Sequence, residues 1–133
     1  MALDPIKNFA KGTLTAGIDD SATSFSVGAG EGARFPDPAT LGAFNITIYN
    51  ATDYPDPSDD PNREILRVTG ISTDAFTVVR PASGNSYNGE DSDNTAKTHN
   101  TGGKTYKIVL SMTLKTQGDM MNNNNWLSNQ VFS

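Results

Sequence analysis

The chain has 133 residues, 35% of them hydrophobic and 19% charged, which is the size of one domain with a modest supply of core material. It contains no cysteine, so disulfide scaffolds, thiolate metal sites and cysteine nucleophiles are excluded together. A net charge of −5 has the wrong sign for a nucleic-acid surface, and a single histidine, His99, removes the commonest acid–base agent.

No run approaches the ~20 apolar residues of a membrane-spanning helix. The opening Met1-Ala2-Leu3-Asp4-Pro5 lacks the basic and apolar regions of a secretory signal, so no export is expected. Helix signals are scarce before position 105, because 11 of the chain's 12 Gly and all 7 Pro fall there and interrupt any 3.6-residue apolar period. Short runs alternate with a period of two instead. Thr13-Leu14-Thr15-Ala16 precedes a turn-like Gly17-Ile18-Asp19-Asp20. In the run after it, Phe25 and Val27 face one way and Ser24 and Ser26 the other. The two pieces read as a hairpin or as neighbouring strands.

Gly28, Gly30 and Gly32 then fall at every second position. The spacing is not that of a Walker loop, no Lys-Ser/Thr closes it, and no periodic helix follows. A tight surface turn leading to an anchoring Phe35 is the favoured reading. Residues 44–50 are the clearest early strand, with Phe44, Ile46 and Ile48 on one face. Residues 54–61 carry three prolines and three aspartates and are expected to form an exposed loop. Residues 64–69 and 75–80 then form a hairpin across a turn at 70–74. Its buried face is expected to hold Leu66, Val68, Phe76 and Val78, with the arginines near the rim. A long polar loop at 81–103 separates this hairpin from a last strand at 105–114. Beyond it, Trp126, Leu127, Val131 and Phe132 form one apolar stripe of a short helix, which is marginal in water without a surface to lie on.

Candidate chemistry is thin. Asp53, Asp56, Asp59 and Asp60 are clustered carboxylates of the kind hard cations favour, but the intervening prolines and the missing bidentate Glu favour a solvated acidic loop. Glu90-Asp91-Ser92-Asp93-Asn94 resembles half of a calcium loop without its glycine. A glycosidase pair would have to come from Glu31, Glu64 or Glu90, and nothing brings two of them together. Glu64 is expected to ion-pair with Arg63 and Arg67. His99 is expected to pack or hydrogen-bond locally in a polar loop, with no partner motif for catalysis. Arg67 and Arg80 could form a small basic patch. No catalytic, cofactor-binding or metal-ligating residue is nominated, and no cofactor is expected.

The hairpin block Glu64-Ile65-Leu66-Arg67-Val68-Thr69-Gly70-Ile71-Ser72-Thr73-Asp74-Ala75-Phe76-Thr77-Val78-Val79-Arg80 resembles a module common in structural proteins of tailed bacteriophages. That module typically reads E-I-x-R-V-T-x-I-x-x-D-T-x-T-V-x-R and continues through A-x-x-H-x-x-G, seen here as Ala96-Lys97-Thr98-His99-Asn100-Thr101-Gly102. Asn8-Phe9-Ala10, the run Ala29 to Pro36, and Phe44-Asn45-Ile46-Thr47-Ile48 are also similar to that family, so the resemblance covers roughly residues 5 to 115. The sequence departs from it at Pro81, where a glycine-rich turn is usual. The resemblance implies a component of tail fibres, tail tips, head fibres or related appendages, located in the virion and assembled in the host cytoplasm.

The expected fold is therefore mainly β, a small β-sandwich or partly open β-barrel with extended N- and C-terminal arms. The expected divisions are an arm at 1–12, a β domain at 13–115, and an arm or short helix at 116–133. Ile6, Phe9, Trp126, Leu127, Val131 and Phe132 are the candidate assembly residues, since a small core does not obviously need them. The expected role is non-enzymatic, on a tail or head-fibre base, with a capsid decoration protein as the close alternative. A carbohydrate-binding module, stacking sugars on Trp126, Tyr49, Tyr54 and Tyr87, is the alternative from another class. The partners implied are other virion structural proteins and copies of the chain itself, with a host surface glycan left open. Neither nucleic acid nor membrane is expected.

Overall fold

A computed structural model of the chain describes residues 4–81 and 94–110. Among the described residues six strands are formed in chain order: β1 (Lys11–Thr13), β2 (Ser24–Ser26), β3 (Phe44–Asn50), β4 (Glu64–Ser72), β5 (Ala75–Val79) and β6 (Tyr106–Val109). They make one antiparallel sheet in the order β1-β6-β3-β4-β5-β2. One short helix, α1 (Pro38–Leu41), begins where the Asp37 carboxylate accepts the Ala39 N–H and Pro38 presets the first turn.

The sheet curls until its two edge strands meet. Leu14 and Val27 form an antiparallel bridge, flanked by Thr15 N–H to Ser26 O and Gly28 N–H to Thr13 O, both 3.1 Å. β1 and β2 are therefore neighbours as the sequence suggested, but each draws its main pairing from elsewhere, β1 from β6 and β2 from β5. Closing the edges on one another removes most of the unpaired backbone that a short edge strand would expose. Of the two expected architectures, the partly open barrel describes this sheet.

Side-chain alternation supplies the core. Phe44, Ile46 and Ile48 of β3, Leu66 and Val68 of β4, Phe76 and Val78 of β5 and Ile108 of β6 all point inward and are buried. Phe35 follows a 3₁₀ turn at Glu31–Arg34 and packs edge-on to Phe76 at 5.0 Å between centroids, while Phe25 stacks on Phe76 at 5.4 Å. The anchoring role expected of Phe35 and the buried hairpin face are both present.

The hairpin differs in its turn. β4 runs on to Ser72, which pairs with Ala75, so the reversal takes only Thr73 and Asp74, not the five residues expected. An irregularity between Val68 and Gly70 leaves Thr69 as the extra residue and lets the long strand bend around the barrel. β3 and β4 occupy the middle of the sheet, with β5 one place nearer the edge, so the hairpin is not strictly the central pair.

β1 starts at Lys11, two residues before the expected boundary of the domain. The segment before it lies on the barrel. Asp4 receives both terminal nitrogens of Arg67, at 2.6 and 3.1 Å, Lys7 donates to Ala33 O, and Ala10 is buried. The last strand is described only to Val109, with Leu110 N–H bonded to Ala10 O. The expected C-terminal arm, with Trp126, Leu127, Val131 and Phe132, lies outside the described residues.

Because Phe76 touches both Phe25 and Phe35, replacing it with Ala should cost about 3–5 kcal/mol. Thr77→Ala on the exposed face of the same strand should stay within about 0.5 kcal/mol. Urea unfolding of the two variants checks both figures.

Candidate functional site: a sealed polar knot and an open apolar groove

The inward alternation of β4 begins with a carboxylate. Glu64 occupies the same face as Leu66 and Val68 and is fully buried. Arg80, one residue past β5 and on the face of Phe76 and Val78, meets it as a two-pronged ion pair. Nε lies 2.7 Å from Oε2 and Nη2 lies 2.8 Å from Oε1. The remaining guanidinium donors reach three backbone carbonyls: Asp19 O at 2.6 Å, Ala22 O at 3.0 Å and Lys97 O at 2.6 Å. All five N–H groups of Arg80 are thus used, as a buried guanidinium requires.

His99 completes the knot. Its side chain is fully buried, Nε2 donates to Glu64 Oε1 at 2.8 Å, and its backbone bridges Ile18 in both directions. Asn62 donates to Thr98 O at 2.8 Å and so turns its amide NH₂ toward His99 Nδ1, 3.5 Å away, which assigns the Nε2–H tautomer. The Lys97 N–H adds a further bond to Glu64 Oε1 at 3.0 Å. Asn94 continues the ladder where β5 has ended: its side chain accepts the Ile65 N–H and donates to the Ile65 carbonyl. Three polar stretches, 19–22, 62–64 and 94–99, are thereby gathered on one end of the barrel.

These contacts correct several expectations. Glu64 pairs with Arg80 and His99, not with Arg63 and Arg67; Arg67 instead holds Asp4 and Asn45. Arg80 is buried, not at the rim, and the two arginines lie on opposite faces of the sheet, so they form no common basic patch. His99 bonds across 35 residues of sequence, not locally.

Glu64 and His99 are a carboxylate and an imidazole at hydrogen-bonding distance, the parts of an acid–base dyad. Burial alone would raise the Glu64 carboxyl. The hydrogen bonds from His99, Arg80 and the Lys97 amide, with the charge of Arg80, outweigh it and hold the group below the usual carboxylate range. A carboxylate so held, beside a guanidinium and out of reach of solvent, is suited to holding chain segments together.

The acidic loop is likewise engaged within the fold. Asp60 is buried and accepts the N–H groups of Asn50 and Asn62 at 2.7 and 2.8 Å, so it is not a solvated charge. Asp53 is bonded by Lys104 and by Asn50, and Asp56 caps a short turn through Ser58, each holding its carboxyl below the ordinary range. In the glycine turn, Asp74 accepts from Gly30 N–H at 3.1 Å and Gly32 N–H at 2.9 Å, while Glu31 accepts from Thr13 and Gly28. The chain's own carboxylates fill the position a phosphate would take. Gly32 is required there, since a Cβ would stand 1.9 Å from Thr73 O.

The other end of the barrel is apolar and open. A groove of about 670 Å³ runs between the N-terminal segment, α1 and the β4–β5 turn, with Ile6, Phe35, Leu41 and Ile71 among its lining. Ile6 is 75% exposed and Leu41 59%, although both are large aliphatic side chains. Phe9, outside the groove, is 91% exposed and held at a φ of 60°. Of the candidate assembly residues, the structure thus places Ile6 and Phe9 on the surface of one segment, with only Ile6 in the groove. Tyr49, offered as a sugar-stacking platform, is buried on β3, and Tyr87 and Trp126 lie outside the described residues.

No protein-family model matches this chain, and no curated protein matches its sequence significantly.

The knot makes a pH-dependent prediction. A depressed carboxyl contributes stability that is complete above its unfolded value of about 4.3 and is lost as pH falls through its lower folded value. Glu64→Gln should therefore lose about 3–5 kcal/mol at pH 7, because it leaves Arg80 buried without its counter-charge. Its deficit relative to the unaltered chain should shrink as pH falls from the unfolded value through the lower folded one, as Glu64 itself becomes neutral. Urea titrations of both proteins at pH 7 and pH 3 measure the difference.

Proposed function

We propose that the chain is a non-enzymatic structural module of a tailed-phage virion, carried as an appendage on the tail or head-fibre base. It would act with other virion structural proteins and with copies of itself. The observation that carries this reading is the fixed display of Phe9, 91% exposed at a φ of 60°. Asp4 and Lys7 pin the N-terminal segment to the barrel, so this ring is exposed by a rigid scaffold, not by a loose tail. Preorganised apolar groups of this kind suit burial against another subunit. The resemblance of residues 64–80 and 96–102 to phage structural modules supports the same reading and names the kind of assembly. The engagement of Glu64 and His99 by buried partners supports a role without catalysis.

Particles released from cells carrying the gene, separated on a density gradient and labelled with antibody to the chain, test the proposal. The chain should co-sediment with particles, label the tail or head-fibre base, and be lost from them in a Phe9→Asp variant whose melting temperature is unchanged. Uniform labelling of the head would favour the decoration-protein alternative. A chain that stays in the soluble fraction would refute both.

A further inference from the structure

The open groove and the end of β6 lie at the same end of the barrel. Strand β6 ends at Val109 opposite Lys11, and Leu110 N–H bonds Ala10 O at 3.0 Å, three residues from the groove-lining Lys7. Leu110 therefore lies beside the N-terminal wall of the groove. Residues 111–125 can span at most about 50 Å when extended, ample to return over the barrel end. They lead to Trp126, Leu127, Val131 and Phe132, apolar side chains separated by the polar Ser128, Asn129 and Gln130. The described core is already filled by the strands and Phe35, so it does not call for them. The groove, with the apolar Phe35, Pro36 and Ile71 between the exposed Ile6 and Leu41, has a volume in the range of sites that hold compact apolar ligands.

We infer that residues 126–132 dock in the groove of their own barrel, with Trp126 and Leu127 between Ile6 and Leu41. A short apolar stripe that is marginal by itself gains a surface, and the groove gains a cover. Docking within one chain needs little intrinsic affinity, because a tether of this length keeps the segment at an effective concentration in the millimolar range. This inference does not rest on the virion reading: with the groove covered, Phe9 stays exposed for contact with other subunits.

The chain has a single tryptophan, so its fluorescence reports this segment alone. In the full chain Trp126 should emit with a clear blue shift and resist acrylamide quenching, unchanged across a wide dilution series. Leu41→Asp and Ile6→Asp should each move the emission to that of an exposed indole and raise quenching several-fold, with the circular dichroism melt of the barrel unchanged. Phe9→Asp, outside the groove, should leave the emission as it is. An exposed indole in the unaltered chain overturns the inference. So does an emission indifferent to both groove substitutions, or a blue shift that disappears on dilution, which would place the segment on a second copy. None of these outcomes bears on whether the chain sediments with particles, so failure here and failure of the virion reading are separable.

Discussion

A buried guanidinium and a buried carboxylate cannot be left half satisfied, and one end of this protein is arranged around that requirement. Arg80 faces Glu64 and spends its other donors on the carbonyls of Asp19, Ala22 and Lys97. Glu64 in turn accepts from His99 and the Lys97 amide. Loops rich in Asp, Ser, Thr and Asn have no apolar reason to lie against a barrel. Here they are fixed by hydrogen bonds to charged groups, which are stronger than neutral ones and costly to break when water cannot replace them. A small chain with few apolar residues thus orders its loops by polar chemistry in place of hydrophobic area.

The two ends of the barrel divide the work. At the Glu64 end, the side chains of Arg80 and His99 meet Glu64, while Asp60 and Asn94 bond backbone groups of Asn50, Asn62 and Ile65. At the α1 end, Phe35 closes the core, and above it lies apolar surface bounded by Ile6 and Leu41. Asp74 and Glu31 bind the amides of the glycine turn and so tie that wall of the groove to the barrel. A rigid apolar surface at one end, opposite a self-contained polar one, gives the molecule a direction in which to make contacts.

The strands were legible because period-two alternation acts residue by residue. Leu66, Val68, Phe76 and Val78 could be assigned to the core from their spacing alone. The same alternation put Glu64 on the face of Leu66 and Arg80 on the face of Phe76. The ion pair was therefore implicit in the pattern, yet sequence proximity pointed to Arg63 and Arg67 instead. The actual partner depends on strand register, which the short turn at Thr73 and Asp74 sets and which the glycine and polar residues of 70–74 disguised as a longer loop. His99 was harder still. Residues 94–100 contain no large apolar side chain to announce burial, and only the A-x-x-H-x-x-G spacing singled them out. The groove could not be read at all, because Ile6, Leu41 and Ile71 come from three separate elements that only the closed sheet brings together.

The coupling between Arg80 and Glu64 is the quantity on which this picture turns. A double-mutant cycle with Glu64→Leu and Arg80→Met, read by urea unfolding at pH 7, measures it directly. Each single variant leaves one buried charge without its partner, whereas the double variant leaves neither. The double variant should therefore be more stable than the sum of the single losses allows, by at least about 2 kcal/mol. Losses that simply add would mean that the two residues contribute independently, and would contradict the pair as the interaction that organises this end of the barrel.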